Sequence, residues 1–297
     1  MAEDVTLAGG DAVAGLSADD IVPNVYEGGF KTWECSVDLS GYVCSNFSAR
    51  NESFTKDALV VEVRDQAGIE PQITSLVKNI DFHMLNVDQL GAGTALPSLT
   101  FLRKWLLRRR SYSETAPRLQ LCLTDYNRSV LELATIPNLY LVTHFGDQTI
   151  SGTDVESGPG DLEHFQTELS RLGIDVPVVS GSWTLDFVDL IPSLAPSFPS
   201  EGHETLILAS ETIYSPASTR IFTQVLLGIL RKMRDHGSSV QALVAAKRIY
   251  FGVGGGVDDF LQVLGELGGQ GRVVWETQGS GVGRVIIAVT LNAADGS

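Results

Sequence analysis

LNVDQLGAGTALPSL, residues 85–99, places a glycine pair, Gly91 and Gly93, directly before an apolar run with helical spacing. A glycine turn of this kind closes the first strand-to-helix junction of a doubly wound sheet, where a ligand approaches the backbone. Such a turn needs a buried apolar strand ending in an acid ahead of it. Asn86, Asp88 and Gln89 are poor strand material. Upstream, ALVVE (58–62) is a compact β-branched run ending in Glu62. Joining Glu62 to Leu90 gives DALVVELGAGTALPSL, a strand, an acid and a glycine turn in register. Residues 63–89 therefore read as an insertion at this junction. They are either a surface excursion or the translation of a retained intron that kept frame. The opening Val63 suits a GT donor and the closing Gln89 a CAG acceptor. Structureless loops of this length are uncommon in compact domains, which favours the intron.

Outward from this stretch, strands and helices alternate. RLQLCLTD (118–125), NLYLVTHF (138–145), VPVVSGSW (176–183), HETLILASE (203–211) and the run LVAAKRIYFGVGG from Leu243 read as strands. The segments WECSVDLSGYV from Trp33, LPSLTFLRKWLL from Leu96, 128–135, 161–172, 216–235 and VDDFLQVLGEL from Val257 read as helices. The first of these spaces Trp33, Val37, Leu39 and Val43 along one face. The close, GRVVWET and GRVIIAVTL joined by the turn-rich QGSGV, must be an antiparallel hairpin because its connection is short. The expected fold is α/β: a doubly wound, Rossmann-like, seven-stranded sheet ending in an antiparallel hairpin, the layout of the class I methyltransferases. Residues 1–24, rich in Ala, Gly and Asp, are expected to be a flexible lead into a domain spanning 25–293.

Composition narrows the partners. The 297-residue chain is 43% hydrophobic, enough to bury a full core, and carries a formal charge of −15. That charge opposes polyanions, so neither direct nucleic-acid binding nor an anionic membrane partner is expected. RKWLLRRR (103–110) concentrates basic residues and reads as a solvated helix end, where cations complement the C-terminal dipole. Cys35, Cys44 and Cys122 show no metal spacing, and an odd count opposes a disulfide framework. The five histidines are scattered. No metal is expected, and with neither a signal sequence nor an apolar run of membrane length, a cytoplasmic and nuclear location is expected.

In doubly wound sheets, an acid at the end of the second strand binds ribose hydroxyls, and TDYN (124–127) puts Asp125 there. The third glycine position of a dinucleotide loop holds Leu96, followed by Pro97, so the loop suits a small zwitterion better than a pyrophosphate.

EGGFKTWECSVDL (27–39), LGAGTALPSL (90–99), TDYN with TIPNLYL (135–141), SGSW (180–183), LASETIYS (208–215) and YFGVGGGVDDF (250–260) occur in this order. Together they resemble the eukaryotic histidine protein methyltransferases over residues 25–265. Lysine-directed relatives share the glycine loop and the tryptophan but carry Asp-x-x-Tyr where this chain has Glu211-Thr-Ile-Tyr214. The resemblance implies S-adenosylmethionine as cofactor and a protein substrate, with a large-subunit ribosomal protein as the expected one. It implies that Gly91 and Gly93 line the methionine part, Glu62 meets its amine, Asp125 takes the ribose hydroxyls and Trp183 lies near the adenine. Trp33, Asn127 and Ser210 complete the implied cofactor set. Glu34, Glu211, Tyr214 and the Gly254–Gly256 turn would face the acceptor. Plainer roles stand beside these: Asp125 as a strand-end cap, Trp33 and Trp183 as core, Glu211 and Tyr214 as caps of the next helix. A lysine-directed enzyme of the same fold, or a non-catalytic methyltransferase-like subunit, are the alternatives.

Overall fold

A computed structural model describes residues 30–47, 58–63, 92–109, 118–145, 159–181, 183, 185–194, 203–278 and 281–292. Residues 1–24, nearly all of the proposed insertion, and Gly91 lie outside the described residues.

The strands are β1 (Ala58–Val63), β2 (Leu119–Asp125), β3 (Ile174–Asp175), β4 (Val178–Ser180), β5 (Glu204–Ser210), β6 (Ser239–Lys247), β7 (Gly269–Glu276) and β8 (Arg284–Leu291). They lie in one sheet in the order β3-β2-β1-β5-β6-β8-β7, and β4 also pairs with β2. β3 and β4 are short pieces of a single interrupted edge position, so eight strands fill the seven places expected. The pairs from β3 and β4 through β6 are parallel, and β8 runs antiparallel to both β6 and β7. The expected doubly wound sheet with its terminal hairpin is thus the observed one.

The helices are α1 (Glu34–Asn46), α2 (Leu96–Arg109), α3 (Arg128–Val130), α4 (Ile136–Phe145), α5 (Pro159–Arg171), α6 (Leu185–Leu194), α7 (Pro216–Asp235) and α8 (Val257–Glu266), with a π turn, Leu131–Thr135, between α3 and α4. They cover both faces of the sheet, which is why the central strands read as continuous apolar runs. Val61, Cys122, Ile207 and Val244 pack with Phe187, Phe222 and Phe260 of α6, α7 and α8. Their neighbours Val60, Leu121, Leu208 and Leu243 pack with Leu39, Leu102 and Leu139 of α1, α2 and α4 on the other face. Alternation along each strand divides the two cores. On α1 the buried apolar residues are Cys35, Leu39 and Val43, whereas Val37 faces outward.

One expected strand is a helix. NLYLVTHF (138–145) lies in α4. Leu131, Thr135, Leu139 and Thr143 are buried at four-residue intervals, the spacing of one helical face. A polar threonine holds every second position of that stripe. VPVVSGSW is a strand only at Val178–Ser180.

Candidate active site

In a doubly wound sheet, ligands bind beyond the carboxyl ends of the strands where connections leave in opposite directions. Here that point lies between β1 and β5, flanked by the ends of β2 and β6. Three expected residues meet there. Glu62 is buried, and its carboxylate accepts the Ser98 N–H at 3.1 Å, at the start of α2. Its backbone carbonyl accepts the Thr124 hydroxyl at 2.8 Å, tying β1 to β2. Asp125, also buried, accepts the Gly93 N–H at 2.7 Å through one oxygen and the Asn127 N–H at 2.8 Å through the other. Asp125 therefore holds the glycine turn and Glu62 the first turn of α2, roles the sequence alone does not give them. Gly93 takes φ +57°, a left-handed conformation glycine adopts without strain.

The helix taken for a strand completes this cradle. The π turn brings Thr135 onto the loop, where its hydroxyl donates to the Gly93 carbonyl at 2.6 Å. One turn later the Asn138 amide donates to the Thr94 carbonyl at 3.1 Å. Single π turns are rare and frequent at functional sites.

The segment ahead of α1 walls the other side. The Thr32 and Thr94 hydroxyls are 3.1 Å apart. The Trp33 ring lies under Lys31 Nζ and Lys247 Nζ, at 4.7 and 5.5 Å from its centroid. Glu34 is more than half exposed and pairs with Lys247 at 3.4 Å. Its own backbone hydrogen bond at the helix start, helped by Lys247, holds its carboxyl below the usual range against the opposing effect of burial. Glu34 therefore stands at the rim.

Glu211 stands inside. It follows β5, is only 7% exposed, and holds φ +58°, which a non-glycine residue adopts at a cost. The Tyr250 hydroxyl donates to Oε2 at 2.5 Å, and Oε1 is buried with no hydrogen-bond partner. The adjacent Thr212 Oγ1 is likewise buried and unpartnered. Buried oxygens left unpartnered in a strained segment suit the hydrogen-bond donors of a ligand. Burial first, then the Glu211 charge, push both the Tyr250 hydroxyl and the Cys35 thiol well up, so both stay protonated beside the carboxylate. Tyr214 meets Tyr250 edge-on at 6.3 Å. Neither Glu211 nor Tyr214 caps the next helix, because the Ser215 side chain accepts from the Ala217 N–H at the start of α7.

The remaining expected residues divide. Ser210 is buried at the end of β5, beside Glu211. The Asn127 side chain caps α3 by accepting the Ser129 N–H. Trp183 packs on Phe222 at 4.7 Å within the core, with Nε1 buried and unpartnered. Tyr250 and Lys247 were not singled out from sequence. Tyr250 stood within a quoted motif, and Lys247 is the cation that ends the apolar run of β6. Among the described residues no cluster could hold a metal ion, and no helix is long and apolar enough to cross a membrane.

No family model matches the chain. It is 30% identical to histidine protein methyltransferase 1 of Saccharomyces cerevisiae, over 96% of this chain and 70% of that protein. The Schizosaccharomyces pombe protein of the same name is also 30% identical, over 90% of this chain and 66% of that one. The Mus musculus homologue is 27% identical over 93% and 60%. The chain thus spans about two thirds of their length. A solved magnesium protoporphyrin IX methyltransferase from Synechocystis with bound SAH aligns over 97% of this chain and 95% of that one, at 8% identity and TM-score 0.41. That likeness is too slight to carry weight, and the fold assignment rests on strand order. Identity and coverage with the yeast proteins decide the family: this chain belongs to the histidine protein methyltransferases.

Proposed function

We propose that the chain transfers a methyl group from S-adenosylmethionine to a ring nitrogen of a histidine in a protein, with a large-subunit ribosomal protein as its substrate. The observation that carries this reading is the buried Glu211 carboxylate with Tyr250 on Oε2 and an unpartnered Oε1. The strand-end acids and the glycine turn suit the cofactor. Glu62 offers a carboxylate near the amine of its methionine part, and Asp125 offers one to the ribose hydroxyls, since a carboxylate oxygen can accept more than one donor. Gly91, Gly93, Trp33, Asn127, Ser210 and Trp183 are the remaining residues assigned to that side. Trp33 offers an electron-rich face already flanked by cations.

S-adenosylmethionine, when bound, supplies a methyl group on a sulfonium, displaced in line as a neutral thioether leaves. The chain's part is placement, where effective molarities correspond to about 7–11 kcal/mol. An imidazole needs one nitrogen as a lone pair and the other as N–H. Oε1 of Glu211 accepts that N–H, fixing the tautomer, and takes the proton once the methylated ring becomes cationic. Tyr250 keeps Oε2 occupied, so a single oxygen faces the acceptor. Tyr214 borders the same opening, and Glu34 is assigned to its outer edge.

The acceptor class sets the pH profile. The imidazole must be neutral to react, and its ordinary pKa is about 6.5. Below that value the acceptor is protonated and transfer slows; above it the rate should level off by about pH 7.5. A lysine acceptor would keep accelerating toward about pH 10. Single-turnover rates across this range distinguish them. The reading itself is tested by titrating the protein with S-adenosylmethionine calorimetrically and assaying transfer to large-subunit ribosomal proteins from cells lacking the enzyme. Binding without transfer to any protein would favour a non-catalytic subunit.

Residues 63–89 are assigned as an insertion within this domain. Val63 still pairs with Ala209 at the end of β1, one residue beyond the expected strand end. The Glu62–Ser98 bond sets the first turn of α2 against the same strand end. Deleting 63–89 would set Leu90 opposite Ala209 and lead straight into the glycine turn. Loop closure relief is small, about 0.6 kcal/mol per doubling of length. Glu62 already stands at the strand end, so restoring strand continuity into the glycine turn is the larger effect, and the charge-assisted contact with the cofactor amine that it supports is worth about 1.5–3 kcal/mol. Thermal stability and cofactor affinity should therefore both rise. A deletion that lowers both would show the segment to be part of the working fold.

A further inference from the structure

The loop between β6 and α8 carries an apolar surface that the transfer chemistry does not use. Ile249, Phe251 and Val253 are 55%, 76% and 53% exposed, while Tyr250 between them is buried. The neighbouring hairpin turn adds exposed Val282, and Arg248 N–H donates to the Gly283 carbonyl at 2.7 Å, fastening that turn to this loop. Isolated exposed apolar residues need no explanation, but a contiguous group on one rim marks an interaction site.

This rim is rigid and continuous with the site. Tyr250 N–H donates to the Gly255 carbonyl at 3.0 Å, and Gly255 N–H donates to the Tyr214 carbonyl at 2.9 Å. Gly252 and Gly254 hold φ +82° and +89°, and a Cβ at Gly255 would fall 2.3 Å from the Tyr214 carbonyl group. The loop is therefore pressed against the Glu211–Tyr214 segment, its buried tyrosine bonded to Glu211 and its apolar residues outward. Local charge adds a second constraint. Lys247 is paired with Glu34 and Arg248 with Glu276. Asp258 and Asp259 follow in the exposed first turn of α8. They favour that helix start, and they also give the rim an acidic margin on a chain of net charge −15.

We infer that Ile249, Phe251, Val253 and Val282 form the docking platform for the acceptor polypeptide, a segment with an apolar side chain close to the methylated residue and basic residues beyond it. The inference rests on the reading that this site methylates a protein. Apolar contact supplies hold and register, while the acidic margin steers a basic partner.

Binding arrays test it without requiring turnover. The S-adenosylhomocysteine-loaded protein is applied to short histidine-centred and lysine-centred peptides that vary in apolar and basic neighbours. Retention should rise about tenfold where Leu, Ile or Phe replaces Ser near the centre, as for a surface with a few dominant contacts. The Phe251→Ser/Val253→Ser protein should lose that preference while keeping its melting temperature and S-adenosylmethionine affinity. Wild-type protein without an apolar preference, or a variant that retains it, would overturn the proposal. Selection confined to lysine-centred peptides would refute the histidine acceptor, while the same comparison of wild type and variant still decides the platform.

Discussion

Asp125→Ala should lower S-adenosylmethionine affinity at least tenfold and also loosen the glycine turn. The first effect follows from the assignment of this carboxylate to the ribose hydroxyls. Charge-assisted hydrogen bonds contribute about 1.5–3 kcal/mol each, and about 1.4 kcal/mol is tenfold in binding. The second follows from its observed bonds to Gly93 N–H and Asn127 N–H, which alanine leaves without partners. A fall in stability of about 1–3 kcal/mol should accompany the binding loss, the cost of a buried donor left unmade. Asp125→Asn should show both effects in weaker form, because its one carbonyl oxygen can satisfy Gly93 or Asn127, not both. Calorimetric titration and thermal melts on the same samples measure both effects. Full affinity in a folded Asp125→Ala protein would remove the ribose assignment.

Glu211→Gln should leave cofactor affinity unchanged and slow transfer roughly a hundredfold, within the range of positioned proton-handling groups. The amide is nearly isosteric, and one face can still accept the Tyr250 hydroxyl. Its other face then presents an N–H₂ group to the ring N–H that Oε1 should receive. Tyr250→Phe is the companion test. It removes the donor on Oε2, letting the carboxylate turn, and should cost less, about tenfold. Wild-type transfer by Glu211→Gln on a histidine substrate would end the tautomer role.

Much of the fold was legible because each central strand is buried on both faces. LQLCLTD and ETLILAS announce themselves as unbroken apolar runs, and both are strands at the expected places. The helix at 216–235 was visible by its amphipathic spacing, and Ser215 and Pro216 mark its start. The segment 138–145 was misread because its inward stripe mixes threonines with leucines, and a π turn shifts the helical phase ahead of it. At the site, the placement of Glu62 and Asp125 at strand ends and of Gly93 in the turn was legible. Their bonds to Ser98, Gly93 and Asn127 were not, since strand-end position names the residue and leaves open whether its oxygens face a ligand or the backbone. The Tyr250–Glu211 bond joins residues 39 apart in sequence, and nothing local to either residue announces it. Nor does sequence foretell a left-handed glutamate, a conformation imposed by the surrounding packing.

The methyl group should end on a histidine ring. The most direct measurement of this uses purified protein, S-adenosylmethionine labelled in the methyl group, and large-subunit ribosomal proteins from cells lacking the enzyme, followed by complete hydrolysis and amino-acid analysis. Label should appear in methylhistidine and be lost with Glu211→Gln and with Asp125→Ala at limiting cofactor. Label recovered in methyllysine, or label in methylhistidine undiminished by Glu211→Gln, would contradict this.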